Sequence, residues 1–441
     1  MYCLTGTPET RWVVLSSNVR TFLILLVSLV VIAPFGSGQG TKQSEREARK
    51  TYPDFALQAP PINTSPGPEY ASWTRMFQGI PGIERAAKGR LWALWYAGGT
   101  GEGPMDYVVL ITSGDDGKSW SDPKLVIDPP GNVHAWDSCL WYDPRGRLWL
   151  FWSQDYGSWD GRGGVWAIVS DSADSESPRW SEPRRLADGH MTNKPTVLTT
   201  GEWLLPIAVW TSECDLPDVN KKYKLGLSPA VVKLLCHDLR DQKGLNVYTS
   251  VDQGKTWKLP GQAHMQDTGA DGSEHMVVER RDGSLWMLAR TDYGIGQSIS
   301  RDRGRTWTPI GQSGIRHPHT RFFIRRLKSG RLLIVRHNPP SVEYPKDCDN
   351  CGQMNRSHLT AYLSDDDGKS WYGNLLLDQR ETVSYPDGVE ADNGKIYVIY
   401  DRLRNTEREI FMATFTEEDV KQGKCVKDQC RLKVLVNKAG E

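Results

Sequence analysis

The sequence has no surplus of charge of either sign: 54 lysines and arginines stand against 54 aspartates and glutamates, a formal net charge of zero. A domain that binds nucleic acid needs a basic face, so this balance argues against that class of partner. A phosphate-cradling loop is missing too, since Gly98-Gly99-Thr-Gly101 supplies glycines without a phosphate-binding context. Cysteine is scarce, and Cys348-x-x-Cys351 has no matching second pair to complete a zinc site. The reading is therefore of a chain with no metal and no cofactor. Only one long apolar run exists, residues 21–35, and its fifteen residues fall short of the ~20 that cross a bilayer. Arg20 precedes it and Gly36, Ser37 and Gly38 follow, the layout of a signal peptide cut near Gly38. Residues 1–38 thus read as a signal peptide, with an uncleaved membrane anchor as the rival. Either one sends the folded part to a secreted, periplasmic or other extracytoplasmic compartment, and only the anchor implies a membrane.

What is abundant points to short strands and tight turns: 18 Trp, 42 Gly and 26 Pro in 441 residues. A glycine turn leading into an apolar strand recurs six times: Gly89-Arg-Leu-Trp-Ala-Leu, Gly146-Arg-Leu-Trp-Leu-Phe, Gly201-Glu-Trp-Leu-Leu-Pro, Gly283-Ser-Leu-Trp-Met-Leu, Gly330-Arg-Leu-Leu-Ile-Val and Gly394-Lys-Ile-Tyr-Val-Ile. By subtraction the spacings are 57, 55, 82, 47 and 64 residues, room for a four-stranded sheet each time with a long insertion in the third unit. Continuous apolar runs of this kind suit strands buried on both faces, as in stacked propeller blades. Among the cysteines, Cys425 and Cys430, and Cys348 and Cys351, can close small loops. Cys214 can meet Cys236, which leaves Cys139 over.

A second element interleaves with the first: Ser113-x-Asp115-x-Gly117-x-x-Trp120, Ser250-x-Asp252-x-Gly254-x-x-Trp257, Ser300-x-Asp302-x-Gly304-x-x-Trp307 and Ser364-x-Asp366-x-Gly368-x-x-Trp371, with a worn copy between Ser170 and Trp180. The aspartate accepts backbone N–H groups, the glycine takes a positive φ and the tryptophan packs under the turn, so these aspartates are structural. These are Asp-boxes, and over residues 70–420 the chain resembles the sialidase (neuraminidase) superfamily of BNR-repeat proteins. That resemblance implies an all-β, six-bladed β-propeller with its active site at one end of the axis. Residues 39–69, Pro-rich and aperiodic, read as a flexible leader, and 421–441 as a C-terminal tail.

The resemblance also implies a tyrosine nucleophile. Sialic acid carries a carboxylate on its anomeric carbon that repels an attacking Asp or Glu, whereas a neutral phenol deprotonated by a nearby Glu avoids the repulsion. Three arginines would clamp the substrate carboxylate. Carried over position by position, the tyrosine resembles Tyr385, its partner Glu274, and the second and third arginines Arg290 and Arg356. Glu279 competes with Glu274 but sits among Arg280, Arg281 and Asp282, as a solvated turn would. Arg321, Arg336, His317, His319 and His337 compete with Arg356. The first arginine is lost: where the family has Arg-Ile-Pro the strand reads Gly79-Ile80-Pro81, and Arg75 lies ~13 Å back along it. The acid/base aspartate has no clear match in residues 98–106, where Glu102 and Asp106 are on offer and Glu102 is preferred. His134-Ala-Trp-Asp137 and Thr192-Asn193-Lys194-Pro195 are further candidates to fill the pocket. The expected function is an exo-glycosidase hydrolysing a terminal acidic sugar from extracellular glycans. The alternatives are a propeller polysaccharide lyase or other glycosidase, and a non-catalytic carbohydrate-binding propeller.

Overall fold

A computed structural model describes residues 55–156, 163–210, 214–237, 239–264, 272–338, 356–426 and 428–440. The segment read as a signal peptide or anchor, Cys3, Cys348 and Cys351 lie outside these residues. The described chain forms six antiparallel sheets, five of them meanders in sequence order and the first a meander with one earlier strand added at its outer edge. Every glycine-turn repeat opens the second strand of a blade: Leu91–Gly98, Leu148–Asp155, Trp203–Val209, Leu285–Thr291, Leu332–His337 and Ile396–Arg402. The strand before each one is the innermost: Phe77–Arg85, His134–Tyr142, Thr196–Val197, Gly272–Glu279, Phe323–Arg326 and Val383–Glu390.

The seams between blades explain why these strands read as unbroken apolar runs. Trp92 and Leu94 of blade 1 cluster with Leu140 and Leu150 of blade 2, and Trp149 and Phe151 of blade 2 with Leu205 and Ile207 of blade 3. Leu204 meets Met287 across the next seam, then Trp286 meets Ile334, and Val335 meets Val398. Ile399 and Met412 of blade 6 close the circle on Ile83 and Trp95 of blade 1. Each face of a blade thus has a partner, at about 1.5–3 kcal/mol per fully buried large side chain. The six-bladed propeller read from the repeats is the observed fold.

Two boundaries differ from the sequence reading. Ile62–Asn63, within the stretch read as a leader, pairs with Leu125–Ile127 as a fifth, outermost strand of blade 1. Arg431–Lys438, within the stretch read as a tail, pairs with Glu409–Phe415 as the outer strand of blade 6. Outer strands face solvent on one edge, so they lack the glycine-plus-apolar signature that reveals the inner ones.

The long third unit holds two short helices, α1 (Leu216–Tyr223) and α2 (Pro229–Leu235). Ser228 caps α2 by accepting from Val231 N, with Pro229 in its first turn. Cys214 and Cys236 are disulfide-bonded across this insertion, as are Cys425 and Cys430, while Cys139 is a buried free thiol.

The Asp-boxes have the expected anatomy. In the copy at 300–307, Ser300 Oγ accepts from Gly304 N at 2.8 Å, and Asp302 accepts from Ser300 Oγ at 2.9 Å, Thr306 N at 2.9 Å and Thr306 Oγ1 at 2.6 Å. These bonds hold Asp302 down at about 2. The worn copy keeps the turn with Ser172 in the aspartate's place, accepting from Arg179 N at 3.1 Å.

Candidate active site

Four innermost strands share one irregularity. Registers shift between Gly79 and Gly82, Trp136 and Cys139, Ser273 and Met276, and Ser384 and Asp387. At each shift one non-glycine residue takes a positive φ: Ile80 (57°), Asp137 (44°), Glu274 (49°) and Tyr385 (54°). Such conformations are uncommon outside glycine, least so for aspartate, and cost about 1–3 kcal/mol each. A bulge breaks the alternation of a strand and re-aims a side chain, and its recurrence on blades 1, 2, 4 and 6 marks one end of the axis.

Two of the re-aimed side chains meet across the propeller. Tyr385 Oη donates to Glu274 Oε1 at 2.9 Å. Arg290, paired in register with Ser273 on the neighbouring strand, bridges both, with Nη1 2.7 Å from Glu274 Oε1 and 3.0 Å from Tyr385 Oη. Tyr385 is only 5% exposed and Glu274 8%. Burial would raise the Glu274 pKa, but Arg290, the Tyr385 hydroxyl and Arg321 outweigh it and hold the carboxylate below its usual range. Burial and the Glu274 charge push the Tyr385 phenol up to about 12, against the pull of Arg290, Arg356 and Arg404. The phenol is thus neutral, hydrogen-bonded to an ionised carboxylate and ringed by cations.

Arg356 stands with its guanidinium 5.7 Å from the centre of the Tyr385 ring and donates through Nη2 to His319 O at 3.1 Å. Of its competitors, His319 and Arg321 also feel the Glu274 charge, and the others are engaged away from the phenol. Arg336 reaches Arg316 O and His337 O and covers Tyr362, Arg321 Nη2 lies 3.5 Å from Asp387 Oδ1, and His337 is bonded to Val383 O and His317. Glu279 accepts from Thr199 at the far end of its strand. Arg75 is spent on Tyr70 O and Gln78.

The loop between Leu91–Gly98 and Tyr107–Ser113 carries Glu102, whose Oε1 accepts from Tyr96 Oη at 2.9 Å and Arg404 Nη1 at 3.0 Å. Glu102 lines a recess of about 370 Å³ with Phe77, Arg356, Ser384 and Arg404. Asp106 is buried, accepts from Gly103 N and is pushed up to about 7 by burial. His134 steadies this loop through Gly103 O at 2.7 Å and Asp155 at 2.6 Å. Lys194 turns inward, to Glu84, Asp387 and two carbonyls on the axis.

Two residues near the phenol escape the sequence reading of the site. Arg404, in the loop after Ile396–Arg402, lies 4.9 Å from the Tyr385 ring centre. Three guanidinium groups therefore surround the phenol where the motif promises two. Asp137, read only as part of a cluster, occupies the bulge position of blade 2, and burial with nearby Glu274 and Glu102 raises its pKa well above the usual range. The internal alignment of the six repeats puts Asp137 in step with Glu274 and Tyr385, a signal the sequence does contain. For Arg404 the sequence offers only the gap at Gly79.

A family model, the BNR repeat-like domain, matches residues 89–398. No curated protein sequence matches the chain. Solved structures with the same fold include a protein of unknown function from Dyadobacter fermentans, 17% identical, over 76% of this chain and 93% of that one with a TM-score of 0.54. A sialidase from Streptococcus pneumoniae is 14% identical over 80% of this chain and 68% of its own, with a TM-score of 0.54. A leech intramolecular trans-sialidase, solved with 2,7-anhydro-Neu5Ac, is 13% identical over 80% and 70%, with a TM-score of 0.56.

Proposed function

The chain belongs to the BNR repeat-like domain family, and from that premise we propose that it is a sialidase-like exo-glycosidase releasing a terminal acidic sugar, sialic acid or a relative, from glycans. The observation that carries the reading is the hydrogen bond from Tyr385 Oη to Glu274 Oε1, with Arg290 joined to both. An attacking carboxylate would face the sugar's own carboxylate, at about 4 kcal/mol for like charges ~4 Å apart near a protein surface. A phenol does not.

In the proposed reaction Tyr385 Oη attacks the anomeric carbon as Glu274 takes its proton. Proton transfer must accompany attack, because a phenol raised to about 12 is not ionised beforehand. The glycosidic bond breaks, and Glu102, which lines the recess and enters this step as the neutral acid after taking a proton from solvent, protonates the departing oxygen. Water, deprotonated by Glu102, then displaces the phenol and Glu274 returns the proton. Arg290 and Arg356 hold the sugar carboxylate by charge-assisted bonds. The disulfides Cys214–Cys236 and Cys425–Cys430 suit the extracytoplasmic compartment in which glycans are met.

The test is turnover of a sialoside by the wild type and by Tyr385→Phe. The expected result is hydrolysis by the first and a loss of at least about a hundredfold in the second. An unsaturated uronate released from an acidic polysaccharide would favour a lyase instead, and binding without turnover of either substrate would leave a carbohydrate-binding propeller.

A further inference from the structure

Gly79 and Arg404 share one volume. A Cβ built on Gly79 would lie 2.2 Å from Arg404 Cδ, 2.6 Å from its Cγ and 3.1 Å from Asp401 Oδ2. The Gly79 backbone does not have the positive φ of the bulge residue beside it. Glycine is thus needed there for space and not for conformation. What occupies the space arrives from more than 300 residues away.

The loop that brings it is fastened across the seam between blades 6 and 1. Gln78 N donates to Arg404 O at 3.2 Å and Ile80 N to Asp401 Oδ2 at 2.8 Å, so the strand around Gly79 is bonded on both sides to the segment bearing Arg404. Asp401 Oδ1 in turn accepts from Ser384 Oγ, next to Tyr385. The guanidinium then lies over the phenol ring and reaches Glu102 Oε1 at 3.0 Å, on the wall of the recess that Arg356 also lines. Arg290 is engaged by Glu274 and Tyr385 and does not line this recess, whereas Arg404 lines it together with Arg356, its guanidinium paired with Glu102. Its charge also opposes the rise in the phenol's pKa.

We propose that Arg404 is the third cation of the site, a substrate-positioning arginine that binds the sugar carboxylate from blade 6 in the space vacated at Gly79. Glu102 holds its guanidinium in place until the substrate arrives. The inference deepens the glycosidase reading and rests on its acidic-sugar ligand. It makes Gly79 and Arg404 a matched pair: each is tolerated only with the other, or when an arginine on blade 1 replaces the one on blade 6.

The experiment compares the wild type, Arg404→Ala, Gly79→Arg and the double variant Gly79→Arg/Arg404→Ala. Calorimetry measures the affinity of each for N-acetylneuraminic acid and its uncharged methyl ester, and turnover of 4-methylumbelliferyl N-acetylneuraminide is followed in parallel. Arg404→Ala should bind the acid about tenfold to hundredfold more weakly, with the ester unchanged. Gly79→Arg should do no better, because the two side chains collide. The double variant should regain most of the lost affinity, which a merely structural role for Arg404 would not allow. An unchanged Arg404→Ala, equal losses for acid and ester, a double variant no better than Arg404→Ala, or a wild type that does not tell acid from ester would each overturn the assignment. Intact discrimination with no turnover in the wild type would refute the glycosidase reading and leave Arg404 standing.

Discussion

Lys194→Met removes a cation that ties four blades together on the axis. Lys194 Nζ, on blade 3, donates to Ile83 O at 2.7 Å and Glu84 Oε1 at 2.8 Å in blade 1 and to Leu140 O at 2.8 Å in blade 2, and it lies 3.1 Å from Asp387 Oδ2 in blade 6. Burial opposes its charge, but Asp387 and Glu84 outweigh burial and hold its pKa above the usual value. Methionine matches the length and leaves two carboxylates and two carbonyls buried without their donor. Breaking a buried pair in this way costs about 3–5 kcal/mol. For a folded unit of this length the unfolding entropy makes that about 4–6 °C in Tm. Adding Glu84→Gln should return part of the loss, since one orphaned charge is then gone and Asp387 still has Arg321 Nη2 at 3.5 Å. Activity should fall as well, because Asp387 is two residues from Tyr385 on the same strand. Calorimetric melting of the wild type, Lys194→Met and Lys194→Met/Glu84→Gln reads all three. A single variant melting with the wild type, or a double variant worse than the single, would refute the electrostatic account of the axis.

Two further outcomes follow from burial and from backbone geometry. Asp106, raised from 3.8 to about 7, makes the fold most stable below pH ~4 and progressively less so as pH climbs to about 7, at up to about 4 kcal/mol. Asp106→Asn should therefore match the wild type in chemical denaturation at pH 4 and exceed it at pH 8; equal stability at both would sink the argument. Gly368→Ala should cost about 2–4 kcal/mol, because φ is 85° and the new methyl would sit 2.4 Å from Trp286 of the neighbouring blade. Gly394→Ala, at φ 77° with nothing within 4 Å, should cost only the backbone part; equal losses in urea unfolding would remove packing from the explanation.

Legibility of the site tracks how local its determinants are. The blade repeat and the Asp-box can be read because each is a short turn whose chemistry lies within eight consecutive residues, and their phase assigns Glu274 and Arg290 to adjacent strands of one blade. Tyr385 is legible by its place before the last repeat. The outer strands Ile62–Asn63 and Arg431–Lys438 are not, because a solvent-facing edge needs neither the glycine turn nor a buried run. Arg404 is hidden for a different reason. Its position depends on a loop of blade 6 crossing onto blade 1, and no spacing along the chain encodes that approach. The helical insertion is visible only as an 82-residue interval between repeats.

In the proposed reaction a phenol, not a carboxylate, takes the sugar. A fluorinated sialic acid that accumulates as a glycosyl-enzyme, followed by proteolysis and tandem mass spectrometry, tests this directly. The adduct should sit on the peptide containing Tyr385, be absent from Tyr385→Phe and form more slowly in Glu274→Gln. Label on Glu274 or Asp137, or steady turnover with Tyr385 never modified, would contradict it.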